Sequence, residues 1–506
     1  MRTRITATIV GSALFAALGA TPASAQDAEG FAQEAQNFTI TSQAPTQQAS
    51  DPAFLERLQS QSLANAADFA ARQLADPDWR TTGNLCETWA QQCAGDPYRY
   101  PGVDPFYEDA VVEPVAFLDR GGARLSGRIW SPTPDGTTRP GVVIVNGSVQ
   151  APETLYWWAA QALVRSGYVV MTFDPRGQGR SDNSTPDGQQ GSNANPDVFV
   201  TNTIDAIDFF RSTPDAPYTP NDGDARATTP FNPLWDQIDP ARLGAVGHSL
   251  GATGVSIVQG IEPWPGTHGD GADGMGNPVD VIVAWDNLSG SGALAGFEVT
   301  PRVPAMGQSA DYGLVPTPHT TAPDPAAKLG GFDAWVDAGL PTYQLVVRGG
   351  THYEWSLIPT FPTSAWDAGG AGGWGRPLAE HWTLAWLDRW LAVPGDPGHV
   401  DADARLLAEA DAGPDDATWQ ERLSYLYRSA RAFPDRQGIA QVCDDILAGC
   451  PVVAPAPAPT ATPTTSPDPG SDGDVDADGA DLPATGASAG LMALVLMAAG
   501  RATRRR

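Results

Sequence analysis

Lysine is all but missing from this sequence: Lys328 is the single one in 506 residues, and arginine supplies the rest of the positive charge. The 30 basic residues face 59 acidic ones, a formal charge of −29 with a pI near 4.3, so nucleic acid and anionic membrane surfaces are repelled and excluded as main partners. A neutral substrate suits this surface better. Cysteine is scarce, four in all, and histidine nearly so, with six. Long apolar runs are few: one lies near the start (Ile5 to Ala20) and a short one near the end, centred on Leu491–Ala499, which is too short to span a bilayer comfortably.

What is present organises the chain into segments. Met1–Ala25 has Arg2 and Arg4, then the first apolar run, then Ala23-Ser24-Ala25, the three-part plan of a secretory signal peptide, so export with cleavage after Ala25 is expected. Residues 26–110 read as a leader and helical strap: a Gln/Ala/Thr/Ser-rich, mobile stretch to about Ser50, then apolar residues at helical spacing (Phe54, Leu58, Leu63, Leu74) that predict a packing helix or helical pair over Asp51–Asp76. Residues 111–395 form the main domain and 396–450 a helical extension, with helices expected over Ala402–Ala410 and Thr418–Phe433. A Pro/Ala/Thr-rich and then acidic linker follows at 451–481. Its Asp474, Asp476 and Asp478 alternate as in calcium loops, but Thr485 stands where a bidentate Glu is needed, so a solvated spacer and no metal is the reading.

The last segment, 482–506, reads Leu482-Pro483-Ala484-Thr485-Gly486, the apolar run, then Arg504-Arg505-Arg506. It resembles the cell-wall sorting signal of Gram-positive surface proteins. The resemblance implies sortase cleavage between Thr485 and Gly486, attachment to peptidoglycan, and a secreted, wall-anchored protein.

An exported chain meets oxidising conditions, so the look-alike pairs, Cys86 with Cys93 and Cys443 with Cys450, are expected to form disulfides rather than hold metal or act as nucleophiles. Three connectivities are possible. A continuous helix would hold partners seven apart at about 10 Å, too far to bridge, so local pairs, which are favoured, need a turn inside each segment.

From Val111 short β-rich runs alternate with helical patterns, the signature of a mostly parallel sheet covered on both faces. Pro114–Leu118 and Leu125–Trp130 predict an opening hairpin. Val142–Val145, Tyr168–Phe173, Leu243–Gly247, Val279–Ala284, Val303–Met306 and Tyr343–Val347 predict further strands. Helices are expected over Thr154–Ser166, Val198–Ser212, around Pro325–Ala338 and over Arg376–Leu391, and long rim insertions over Thr213–Gln237 and Pro263–Asn277.

Chemistry centres on Leu243–Glu262, where Gly247-His248-Ser249-Leu250-Gly251 falls between a strand pattern and a helix pattern. A serine on such a strained turn has an exposed hydroxyl, and the helix behind it aims its first amides at the same spot. The other G-x-S-x-G, around Ser488, lies in the tail and lacks that context.

Val145-Asn146-Gly147-Ser148, then Asp174-Pro175-Arg176-Gly177-Gln178-Gly179-Arg180-Ser181, then the Ser249 turn resemble the α/β-hydrolase superfamily over about Pro114–Leu391, with Asn146-Gly147 where the family has His-Gly. The Trp-Asp pair at Trp285-Asp286 and the later Gly-Gly-Thr-His look like its dienelactone-hydrolase and polyester-hydrolase branch. The resemblance implies the α/β-hydrolase fold, a mostly parallel sheet flanked by helices with N- and C-terminal helical extensions, and a chain order of nucleophile, acid, base.

Six histidines compete for the base, and His352, directly after the last strand, stands where the fold puts it. Asp311, in a loop after Val303–Met306, matches the acid position; Asp286 is the alternative. The oxyanion site is expected at the backbone amides of Leu250 and Ser148, and Tyr156, Trp157, Trp285 and Trp355 are candidates for the substrate pocket. The function expected is a serine carboxylic-ester hydrolase working through an acyl-enzyme with no cofactor; the alternatives are a serine peptidase or amidase on the same fold and a noncatalytic surface binding protein. A monomer is expected.

Overall fold

The computed structural model describes residues 25–50, isolated helical positions between 52 and 74, and residues 105–356 and 375–451 apart from 149–150, 225–227, 272–273, 315 and 414–416. Residues 1–24, the linker and the sorting signal with Thr485 and Gly486 lie outside the described residues.

A ten-stranded sheet carries the fold. It opens with the expected hairpin, β1 (Ala110–Leu118) and β2 (Arg124–Pro132), antiparallel from Ala110↔Pro132 to Leu118↔Arg124. Six parallel strands follow: β3 (Arg139–Val145), β4 (Val169–Asp174), β5 (Ile238–His248), β6 (Val281–Trp285), β9 (Ala305–Ala310) and β10 (Thr342–Val347). A small separate ribbon, β7 (Ala293–Leu294) with β8 (Phe297–Glu298), lies between β6 and β9 in the chain. Two antiparallel strands, β11 (Ala430–Pro434) and β12 (Ala440–Cys443), finish the far edge. The order across the sheet is β1-β2-β4-β3-β5-β6-β9-β10-β11-β12, and the architecture is that of the α/β-hydrolase fold.

The continuous apolar runs that mark these strands follow from burial on both faces. Val142 and Ile144 of β3 meet α2 (Trp157–Arg165) and α6 (Gly375–Leu391), whereas Val143 and Val145 meet α3 (Val198–Arg211) and α4 (Leu250–Val258) on the other side. Successive residues of one strand thus serve two separate cores. A shorter helix, α5 (Gly330–Asp337), precedes β10.

Three expectations are corrected at the ends of the chain. The mobile leader is instead a helix, α1 (Ala25–Ser50). Glu34, Asn37 and Thr41, spaced three and four apart, are buried on one of its faces, with Phe31 packed against the cluster of Val346, Leu426 and Tyr427 and Phe38 edge-on to Tyr312, so the stripe that docks it mixes polar side chains with two aromatic ones. Within Asp51–Asp76 the described positions are helical, but Leu63 and Leu74, expected to pack, are exposed. Among its described residues the C-terminal extension holds one short α-helix, α7 (Ala402–Leu406), and a 3-10 turn at Gln420–Arg422, and its later part supplies β11 and β12. β11 pairs with β10 at Thr342↔Ala432 and Gln344↔Ala430, β12 pairs in turn with β11, and together they cover what would be an open edge at β10.

Of the two local disulfides expected, the one between Cys443 and Cys450 is formed, its Cα atoms 5.2 Å apart across a turn. That bond excludes the connectivities that would join the two ends of the chain through these cysteines. The other pair, Cys86 and Cys93, lies outside the described residues: both Cys86 and Cys93 fall between 75 and 104, so their expected bond has no counterpart among the described ones.

Candidate active site

The sharpest bend in the sheet is at Ser249. β5 ends at His248 and α4 starts at Leu250, so a single residue with φ 57° and ψ −122° makes the turn. Both flanking glycines are required by contact. A Cβ on Gly247 would sit 2.2 Å from the Gly251 carbonyl oxygen, and one on Gly251 would sit 2.4 Å from that of Val145. The Ser249 amide donates to the Trp285 carbonyl at 2.9 Å, which pins the elbow to the end of the neighbouring strand β6.

Asp286 is the first residue beyond β6, and the chain turns there through a left-handed conformation, φ 42°. Aspartate tolerates that region better than most residues. Its Oδ2 lies 2.6 Å from Nδ1 of His352, on the loop that follows β10. Burial alone would push the Asp286 carboxyl up, but the hydrogen bond and charge of His352 outweigh it, and the net shift is downward. The carboxylate is therefore ionised at neutral pH, fixing the proton of His352 on Nδ1 and leaving Nε2 as the basic nitrogen.

The acid position is thus a correction: Asp286, not Asp311, pairs with His352. Asp311 is the first residue beyond β9, one strand farther from the elbow, and its amide donates to Val347 of β10. Its carboxylate accepts the Gly349 amide at 2.6 Å and so holds the root of the base loop. Burial pushes this carboxyl up to about 6 despite hydrogen bonds from Ser424 and Gly349.

The loop after β3 comes up against Ser249. A Cβ on Gly147 would lie 3.2 Å from Cβ of Ser249, so Ser148 follows directly on a residue in contact with the elbow. Leu250 opens α4, and its amide has no partner one turn earlier within the helix. Asn146 is buried and donates through Nδ2 to the Ala151 carbonyl at 2.7 Å and to Asp174 at 3.2 Å. The same Asp174 carboxylate accepts the amides of Glu153 and Arg180, and Gln178 donates to the Gly147 carbonyl at 2.5 Å. The Asp-Pro-Arg-Gly-Gln-Gly-Arg-Ser segment therefore serves as a buried scaffold for the loop beside Ser249. Burial and the neighbouring Glu153 push the Asp174 carboxyl upward.

The four pocket candidates are corrected as a group, because all are core side chains. Trp157 packs on Trp130 under the Arg128 guanidinium; Trp285 stacks on Trp158 and donates to Thr383 at 3.1 Å; Trp355 donates to Gln308 at 2.9 Å. Tyr156, fully buried, reaches His248 instead, with 2.7 Å from its hydroxyl to Nδ1. His248 is the residue that sequence reasoning passed over. It was weighed only as a base, yet its ring lies 4.8 Å from that of His352 and its Nε2 is 2.7 Å from the His352 carbonyl oxygen. Its place beside the nucleophile in G-x-S-x-G was the available signal.

No family model matches the chain. A thiohydrolase, aneE, of Aspergillus aculeatus is 29% identical over 107 residues, which are 21% of this chain and 31% of that protein. The chain thus matches about a third of the length of this curated relative. The crystal structure of hypothetical protein PA2218 from Pseudomonas aeruginosa is 21% identical, with a TM-score of 0.25 over 36% of this chain and 44% of that one.

Proposed function

We propose that the protein is a serine hydrolase that cleaves carboxylic esters through an acyl-enzyme. The observation that carries this reading is the 2.6 Å pairing of His352 with Asp286, on strand ends adjoining the strained Ser249 turn. A serine hydroxyl is a poor nucleophile until a base takes its proton, and that base needs a carboxylate behind it.

In the reaction, Ser249 Oγ attacks the ester carbonyl as its proton passes to Nε2 of His352. Asp286 orients the imidazole and stabilises the imidazolium. The amides of Leu250 and Ser148 receive the oxyanion, each such donor contributing about 3 kcal/mol to lowering the barrier. His352 then protonates the leaving alcohol, activates a water, and the acyl group departs as the acid with Ser249 restored. No metal or organic cofactor enters these steps.

The signal-like start and LPATG-type end support export and sortase-mediated attachment to peptidoglycan as part of the same proposal. A second reading, thioester hydrolysis by the same triad, draws on the similarity to a thiohydrolase. Matched oxyester and thioester substrates separate the two. Ser249→Ala is expected to abolish both p-nitrophenyl ester turnover and labelling by a fluorophosphonate; unchanged turnover in that variant ends the proposal.

A further inference from the structure

Three segments of the site, the Gly147–Ser148 loop, the Ser249 elbow and the His352 loop, are far apart in sequence. One chain of buried hydrogen bonds joins them. The Gly147 amide donates to the Tyr156 hydroxyl at 3.0 Å, that hydroxyl lies 2.7 Å from His248 Nδ1, and His248 Nε2 lies 2.7 Å from the His352 carbonyl.

The proton positions follow from what each group is able to do. A carbonyl only accepts, so Nε2 of His248 carries a proton. Burial, and then the neighbouring His352, lowers the His248 pKa to about 3, so the ring is neutral and holds that one proton. Nδ1 is then an acceptor. The Tyr156 hydroxyl, taking a hydrogen bond from Gly147, gives its own proton to Nδ1. Every donor has an acceptor in one direction only, from Gly147 to His352. The relay also crowds Gly147, where a Cβ would lie 3.1 Å from His248 Nδ1 and 3.2 Å from the Tyr156 oxygen and would press on both side chains.

We propose that Tyr156 and His248 are positioning residues that lock the oxyanion loop and the main chain of the base to the nucleophile elbow through this one-way hydrogen-bond relay. The proposal rests on the serine-hydrolase reading. Neither side chain touches substrate in it. Each acts by fixing where Ser148 N–H and the His352 imidazole stand relative to Ser249, and a displacement of about 1 Å in such a constellation costs on the order of 100-fold in rate.

The test uses the purified full chain and three variants, Tyr156→Phe, His248→Gln and His248→Leu, with p-nitrophenyl acetate turnover, fluorophosphonate labelling of Ser249, and two-bond ¹⁵N–¹H NMR of the histidine rings. In the unmutated protein one neutral histidine is expected as the Nε2–H tautomer from pH 5 to 8, and its signals vanish in His248→Leu or His248→Gln. Tyr156→Phe is expected to lower kcat about 10- to 100-fold with KM within about threefold, while Ser249 is still labelled, only more slowly. His248→Gln keeps an N–H where Nε2 stood and should recover at least about fivefold in kcat over His248→Leu. An Nδ1–H tautomer for His248, or kcat within twofold of the parent in Tyr156→Phe, overturns the relay. An unmutated protein that leaves Ser249 unlabelled overturns the hydrolase reading instead, and the tautomer measurement still decides the relay's geometry.

Discussion

Strands β6 and β9 lie side by side, and each is followed at once by an aspartate, part-buried at Asp286 and buried at Asp311, yet the two carboxylates have different partners. Asp286 meets the imidazole of His352, whereas Asp311 meets the amide of Gly349 at the root of the same loop. The register explains the division. Trp285 pairs with Gln308, so β9 runs two residues past β6 before Asp311 begins, and there its backbone follows β10. Asp286 adjoins β5 and the elbow, and the base loop folds back to meet it. One aspartate sets the electronic state of the base, the other the place where its loop departs from the sheet.

The comparison breaks first at Asp286. Asp286→Asn removes the charge that stabilises an imidazolium and lets the imidazole adopt the wrong tautomer, so kcat for p-nitrophenyl acetate is expected to fall about 10³- to 10⁴-fold with little change in KM. Asp311→Ala leaves that pair intact and orphans a buried amide. A loss of about 10-fold in kcat and on the order of 1–3 kcal/mol of stability by denaturant titration is expected. If the two substitutions cost the same in kcat, the roles assigned here to the two strand ends are wrong.

That both aspartates close a strand is why residues alone left them competing: strand ends are visible in a sequence, and the order of strands across a sheet is not. The elbow was legible because Gly247 is demanded within the turn and Gly251 by the close approach of β3, so both glycines flank the serine in one short motif, and the parallel strands because burial on both faces leaves unbroken apolar runs such as Val142–Val145. The aromatic side chains misled for the opposite reason. Trp285 and Trp355 find hydrogen-bond partners, Thr383 and Gln308, inside the core, and nothing in composition separates such a tryptophan from one facing a substrate. Helix α1 was missed because the fully buried side chains of its docking face, Glu34, Asn37 and Thr41, are polar, and Phe31 and Phe38 beside them are too few to mark a helical apolar stripe. Polar stripes dock through specific partners, here Tyr312 for Glu34 at 2.8 Å, and those partners lie hundreds of residues away.

A smaller effect separates the carboxylates by pH. Asp286 is held below the ordinary range and Asp311 is raised to about 6. For Asp311 the unfolded value is about 3.9, so between pH 4 and 6 the folded chain binds more protons there than the unfolded one. Its contribution to stability is full below about pH 4 and is lost as pH rises through 6. Asp311→Asn keeps an acceptor for Gly349 without the titration. The Tm of the variant minus that of the parent should therefore rise from pH 4 to about 7 and then level; a difference that stays flat, or falls, contradicts a buried carboxyl at this point.

The smallest expected effect tests whether the Gly349 peptide is held from both sides. Asp311 takes its N–H, and Thr41 of α1 donates from Oγ1 to its carbonyl at 2.9 Å, in a buried contact spanning 308 positions of sequence. Gly349 itself turns through φ 65°, so the loop that carries His352 begins at a residue with no side chain to anchor it. The two hydrogen bonds help to fix that start. Thr41→Val is close in shape and removes only the donor, leaving a buried carbonyl short of one partner. About 1 kcal/mol of stability and a two- to threefold loss in kcat are expected, measured by chemical denaturation and p-nitrophenyl acetate turnover. A Thr41→Val variant equal to the parent in both would show that α1 packs beside the base loop without steadying it, and would leave Asp311 as the side chain holding this peptide.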